Sequence, residues 1–146
     1  MSEKIRIGQI GCGKHGLSGL AAQLATIDEA DLIAAADVDE IALRTAVDEF
    51  GFERPYLDYH RMLAQEDLHG VVVVTPHHLL KDAAIAAIQS GVHVFIEKPM
   101  AVNRQEGQEL VDAATSAGVT VMAGYCQRFA ESRRIMKSLL ERGAVG

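Results

Sequence analysis

The chain has 146 residues, enough for one domain with a real core. Of these, 49% are hydrophobic but only 5% aromatic, with no tryptophan, so Ala, Val, Ile and Leu must build the interior. Acidic side chains outnumber basic ones 20 to 14, and the resulting formal charge of −6 excludes the basic footprint of a nucleic-acid binder. No apolar run approaches membrane-spanning length, and residues 1–7 lack the apolar stretch of a signal peptide. Cys12 and Cys126 lie far apart at no metal-ligand spacing, so the expectation is a cytoplasmic protein with free thiols and no metal site.

Short β-branched runs alternate with helical patterns along the chain. Lys4–Ile10 reads as a first strand. From Lys14 the apolar positions Leu17, Leu20, Ala21 and Leu24 recur at i, i+3, i+4 and i+7, which predicts a helix. Leu32–Ala36 is a second strand, and Ile41–Phe50 a helix stopped by Gly51. Pro55–Leu57 reads as a short edge strand, followed by a small helix capped by Asp58. The four valines Val71–Val74 are the mark of a strand buried on both faces, ended by Thr75-Pro76. A helix through Ile85 and Ile88 to Gly91 leads to the strand Val92–Ile96. Asn103 with Glu106 forms a capping box for a helix running to Gly118. Val119–Met122 is a sixth strand, and an amphipathic helix carrying Ile135, Met136, Leu139 and Leu140 closes near Gly143. Repeated strand–helix–strand units with right-handed crossovers predict an α/β fold with a doubly wound parallel sheet, helices covering both faces.

Gly11-Cys12-Gly13-Lys14-His15-Gly16 is a Gly-x-Gly-x-x-Gly string. Alone it is weak, but here it follows the first strand directly and opens the first helix, the setting of a dinucleotide-binding turn. Gly11 allows the tight turn, Gly13 lets backbone N–H groups approach a pyrophosphate, and Gly16 lets helix and strand pack closely. The helix N-terminus adds partial positive charge. Asp37 stands at the end of the second strand. By itself it reads equally as a helix cap, but joined to the glycine loop it reads as the acceptor for a ribose 2′-hydroxyl. Its charge would repel a 2′-phosphate, and its neighbours Val38, Asp39 and Glu40 offer no cation. NAD is therefore favoured over NADP, with Arg44 the one residue able to reach back.

Three further segments, Thr75-Pro76-His77-His78-Leu79, Glu97-Lys98-Pro99 and Gly124-Tyr125-Cys126-Gln127-Arg128-Phe129, follow the glycine loop in order. Together they resemble the glucose–fructose oxidoreductase, inositol dehydrogenase and MocA family over essentially the whole chain. The resemblance implies an NAD(P)-dependent oxidoreductase acting on CH–OH groups of sugars or cyclitols, with the cofactor on this half. It implies that Thr75, Pro76 and His78 lie along the nicotinamide ribose and that Glu97 borders the cofactor. Lys98 would be the catalytic lysine, with Pro99 fixing the chain after it, through a cis peptide bond if one forms. Cys12, Lys14 and His15 fall to the pyrophosphate by their place in the loop. The chain departs from the family where Leu80 replaces a second histidine, and adjacent His77 and His78 are poor evidence for a metal.

Residues 1–125 are expected to form the dinucleotide-binding domain. Residues 126–146 are expected to start a crossover, ending in a Gly-x-x-Gly string, toward a C-terminal α/β substrate domain absent from this chain. The isolated chain would then bind cofactor without being catalytically complete. Sugar-like substrate contacts, and any oligomer, would depend on the second domain. A non-catalytic dinucleotide-binding sensor is the alternative, and Lys98 is the residue that separates the two readings, since a sensor needs no substrate-facing lysine.

Overall fold

Short runs of Ala, Val and Ile suit a pleat covered on both faces, and they pair into one parallel sheet in the computed structural model, which describes residues 4–144. The strands are β1 (Ile5–Ile10), β2 (Ala30–Ala36), β3 (Arg54–Tyr56), β4 (Gly70–Val73), β5 (His93–Ile96) and β6 (Val121–Ala123). Among the described residues their order is β3-β2-β1-β4-β5-β6. The chain thus leaves β1 toward one edge, and after β3 returns to β1's other side, which puts a topological switch point between β1 and β4.

Helices cover both faces. The first, α1, is a π-helical stretch, His15–Ala21, passing into one α-turn at Ala22–Leu24. It is followed by α2 (Glu40–Phe50), α3 (Tyr59–Gln65), α4 (His77–Gln89), α5 (Arg104–Ala117) and α6 (Glu131–Glu141). One core packs Ile10, Val73, Leu80, Ala84, Ile88 and Ile96. The other packs Leu17, Ala21, Leu32, Ala35, Leu43 and Phe52. The last three residues of β2 alternate between the cores as period-2 geometry requires, Ala34 and Ala36 facing one and Ala35 the other, whereas Ile33 and Ala34 share a core where the register with β1 shifts by one residue.

The sequence expectations hold for every strand and helix, with shifts that have local causes. The 3.6-residue period finds the buried face of α1, with Leu17 and Ala21 in the core, but the turn is one residue wider: the Ala22 N–H donates to Leu17 O, five residues back. Asp39 and Asp58 cap α2 and α3 by accepting backbone N–H groups, and Gly51 and Gly118 end α2 and α5 in the left-handed region. Asn103 caps α5 by accepting from Glu106 N at 2.9 Å, while the Glu106 carboxylate reaches Val102 N rather than Asn103 N. Val74 drops out of β4 because Thr75-Pro76 turns the chain, although its N–H still donates to Ile10 O at 2.8 Å. Val119 belongs to the exit of α5, donating to Ala114 O, so β6 starts two residues later than the apolar run suggests. Cys126–Phe129 forms a 3₁₀ turn that no periodicity announces. The last two residues of the terminal Gly-x-x-Gly string, Val145 and Gly146, lie outside the described residues.

The edge strand β3 is tied down by a buried carboxylate. Glu66 accepts from Arg54 Nε at 2.5 Å and Nη2 at 2.6 Å, and from the Tyr56 hydroxyl. The Arg54 hydrogen bonds hold the Glu66 carboxyl below its ordinary range, with burial opposing them and the Tyr56 hydroxyl adding to the depression. A depressed carboxyl stabilises the fold above its unfolded pKa, near 4.3, and loses that contribution as pH falls through the folded value. Replacing Glu66 with Gln should therefore lower the melting temperature by a few degrees at pH 7. It should also flatten the fall of melting temperature between about pH 5 and pH 3, as read by circular dichroism.

Candidate functional site

Parallel register decides what meets at the carboxyl ends of the strands. Ile10 lies opposite both Ala36 and Val73, Ala36 opposite Tyr56, and Ile96 opposite both Val73 and Ala123. The residues that follow this row, Asp37, Gly11, Val74, Glu97 and Gly124, are consequently brought to one edge of the sheet. A cleft opens there over the switch point between β1 and β4.

One wall of the cleft is the glycine loop, with Gly11, Gly13, Lys14, His15 and Gly16 lining it. Gly11 has φ +101°, and a Cβ there would stand 2.7 Å from Val74 O, so both the turn and the approach of β4 require glycine. Its N–H donates to Ala36 O at 2.8 Å, and its carbonyl accepts from Gln9 Nε2 at 2.9 Å. A Cβ on Gly16 would fall 2.5 Å from Gly11 O, so α1 can start this close to β1 only without a side chain. A Cβ on Gly13 would meet nothing within 4 Å, so at this position the backbone itself faces open space. The N-cap position of α1, Lys14, makes no capping hydrogen bond. The Leu17 N–H donates to Gly13 O at 3.0 Å, and the N–H groups before it in the first turn are the donors offered to a ligand such as a diphosphate.

Asp37 stands beside the loop at the end of β2. Its Oδ2 accepts from Cys12 N at 2.6 Å and its Oδ1 from Asp39 N at 3.0 Å. The carboxylate therefore holds the loop and the entry to α2 while keeping spare lone pairs toward the cleft. The Cys12 N–H is taken by Asp37 and its side chain is buried beneath the loop, so Cys12, expected at the pyrophosphate, does not line the cleft. Burial, and secondarily Asp37, pushes that thiol up to about 12, so it stays protonated and chemically quiet.

The opposite wall is Val74, Thr75 and Pro76 with the first turn of α4, and the Thr75 Oγ1 is buried without a partner among the described residues. Glu97 and Lys98 stand at the end of β5, and the Lys98–Pro99 peptide bond is cis, as the sequence allowed. The Glu97 side chain is 12% exposed and has a basic side chain facing each oxygen: His15 Nε2 at 3.7 Å from Oε2, and Lys98 Nζ at 3.6 Å from Oε1.

The cleft thus gathers the loop, Asp37, Thr75, Pro76, Glu97 and Lys98. It does not gather His78. Consecutive helical residues point about 100° apart, and it is His77 that lines the cleft. Leu80, at the position of the family's second histidine, is fully buried in the core, and Arg44 lines a separate groove with Asp48 and Pro55. Sequence reasoning missed Val38, Leu57 and Tyr59, which line the end of the cleft near Asp37. No motif marks Leu57 and Tyr59, and only the placement of β3 next to β2 brings them there. It also missed Gln9, fully buried with its Oε1 unpartnered, for which the one signal is a lone amide ending an apolar strand.

A family model described as an oxidoreductase family with an NAD-binding Rossmann fold, GFO_IDH_MocA, matches residues 5–125. Myo-inositol 2-dehydrogenase of Thermotoga maritima is 31% identical over 142 residues, covering 97% of this chain and 42% of that enzyme. The crystal structure of scyllo-inositol dehydrogenase from Lactobacillus casei with NAD(H) and scyllo-inositol superposes with a TM-score of 0.90. It has 29% identity and covers 99% of this chain and 43% of that one. The WlbA dehydrogenase from Bordetella pertussis, in complex with NADH and UDP-GlcNAcA, gives a TM-score of 0.88 at 33% identity, covering 97% and 43%. The chain therefore spans less than half the length of the relatives it matches.

Because a side chain at position 16 would collide with the backbone of Gly11, Gly16→Ala should destabilise the fold by about 1–3 kcal/mol, the cost of an overpacked site. Urea unfolding would show it as a lower midpoint. An unchanged midpoint would mean that α1 moves freely on β1.

Proposed function

This chain belongs to the glucose–fructose oxidoreductase, inositol dehydrogenase and MocA oxidoreductase family. From that premise we propose that it is the NAD-binding half of an enzyme that moves a hydride between a nicotinamide and the hydroxyl or carbonyl carbon of a sugar- or cyclitol-type substrate. The observation that carries this reading is the convergence of an uncapped glycine loop, Asp37 and Lys98 on one cleft at the switch point. The relatives that hold scyllo-inositol or UDP-GlcNAcA support the substrate class. The sensor alternative gives no account of an ammonium at the far end of the cleft.

In this reading residues 126–146 lead into a second domain that supplies the remaining substrate contacts and the surface for assembly, and residues 4–144 alone bind cofactor without completing turnover. A cytoplasmic, reducing setting suits the two unpaired thiols, buried Cys12 and exposed Cys126.

Bound NAD supplies the nicotinamide carbon that takes or gives the hydride. The residues of this chain do the rest. First-turn N–H groups of α1 and the open backbone at Gly13 hold the diphosphate. Asp37 accepts from the ribose hydroxyls and, being anionic, disfavours a 2′-phosphate. Thr75 Oγ1, buried and unpartnered, is available on the nicotinamide side. Lys98 Nζ donates to the substrate oxygen and stabilises negative charge as it develops there, so its contribution belongs to the transition state.

Calorimetry should show this chain binding NADH more tightly than NADPH, and the reverse order would overturn the placement of Asp37. Gly13→Ala should weaken NADH binding by at least about tenfold, roughly 1.4 kcal/mol, while leaving the melting temperature unchanged, since the added methyl meets only the cleft. Asp37→Asn should narrow the NADH preference. Asp37→Ala is the poorer probe because it also releases Cys12 N and Asp39 N. In a protein that carries the second domain, Lys98→Ala should lower kcat by about a hundredfold or more with NADH affinity nearly unchanged.

A further inference from the structure

The imidazole of His15 is placed with more care than a variable loop position requires. The π-helical turn that His15 opens widens α1 at its cofactor end, and π-turns are frequent at functional sites. Its ring lies over Gly19, where a Cβ would come within 3.1 Å of Nδ1, so the helix leaves a gap that the ring fills. From there Nε2 reaches across the mouth of the cleft to Glu97 Oε2 at 3.7 Å. The carboxylate it meets is confined as well. A Cβ on Gly124 would stand 2.9 Å from Glu97 Oε2 and 3.1 Å from the Phe95 ring, so the end of β6 gives way to Glu97. The other oxygen, Oε1, faces Lys98 Nζ at 3.6 Å. Three segments of the sheet's carboxyl edge thus hold one buried anion between a titratable cation and a permanent one.

We propose that His15 is a positioning residue for Lys98, acting through the Glu97 carboxylate. When the imidazole is protonated, its charge repels the Lys98 ammonium and offsets part of the attraction of Glu97. When it is neutral, that repulsion is gone and the ammonium is held closer to Glu97 Oε1. Both separations exceed a hydrogen bond, so the ammonium is held electrostatically and can shift without breaking a directional contact. The other charged or titratable side chains lining the same cleft are Glu97 and Lys98 at the end of β5, Lys14 in the loop, Asp37 at the end of β2, Tyr59 on α3 and His77 on α4. His77 is the other imidazole lining the cleft, and the test must separate it. The consequence for turnover rests on the reading of Lys98 as the substrate-facing lysine, whereas the electrostatic coupling can be measured without it.

Reductive ¹³C-methylation keeps the charge of each lysine and gives resolvable signals for Lys4, Lys14, Lys81, Lys98 and Lys137, with Lys98→Arg assigning the one of interest. The Lys98 signal should pass through an inflection between pH 5 and 8. That inflection should vanish in His15→Gln and in Glu97→Gln, and persist in His77→Gln. His15 is 63% exposed in its side chain and Glu97→Gln is isosteric, so each variant is expected to fold, with circular dichroism as the check. A flat Lys98 signal in the parent chain, an inflection that survives His15→Gln, or one that disappears in His77→Gln would overturn the proposal. NADH added to the same samples reads the other claim separately: failure to bind would sink the cofactor assignment and leave the coupling standing.

Discussion

A row of buried apolar residues in parallel register, Ala36, Ile10, Val73 and Ile96, is the constraint on which the site depends. Each is at most 2% exposed, so none can leave the core without losing burial worth about 1.5–3 kcal/mol for the larger side chains. A slip of one residue in any strand would send its side chains to the opposite core, where the packing no longer matches. Because the row cannot slip, Asp37, Gly11, Val74 and Glu97 are delivered to one edge whatever the loops beyond them do. The chemistry of the cleft is inherited from the packing beneath it.

Above that row the loop is held mainly by hydrogen bonds. Gly11 is gripped from two strands, its N–H by Ala36 and its carbonyl by the buried amide of Gln9, while Asp37 holds the N–H of Cys12. Asp37 therefore has a structural duty that its assigned role with a ribose does not mention. A carboxylate suits both, because its two oxygens can accept several hydrogen bonds at once. The same economy recurs at Glu97, which borders the cleft and sits between the loop and Lys98.

The sheet was legible in the sequence because its signals are local. Valine runs, glycine stops and the Asp and Asn caps each report the conformation of the residues that carry them. The glycine loop was legible for the same reason, since the demands at Gly11 and Gly16 are steric. What escaped depends on geometry across the sheet. Leu57 and Tyr59 reach the cleft through strand order, and His77 replaces His78 because of the angular phase of α4. The π-turn of α1 has no period that distinguishes it from an α-helix over seven residues. Gln9 looked like one more polar residue in a strand, and only its full burial gives it meaning.

The last helix differs from the rest of the molecule. None of the α6 residues is buried, and Ile135, Met136, Leu139 and Leu140 on it are each at least 36% exposed. Eleven residues are fewer than an isolated helix needs to persist in water, about 12–15, and packing onto the sheet does not make up the difference here. Amide protons report such differences as exchange rates. Those of β1, β4 and β5 are expected to open only with the whole domain, and those of α6 to exchange on the timescale of local fraying. The chain is one fold with two levels of protection, and whatever covers the apolar side of α6 would slow its exchange without altering that of the sheet.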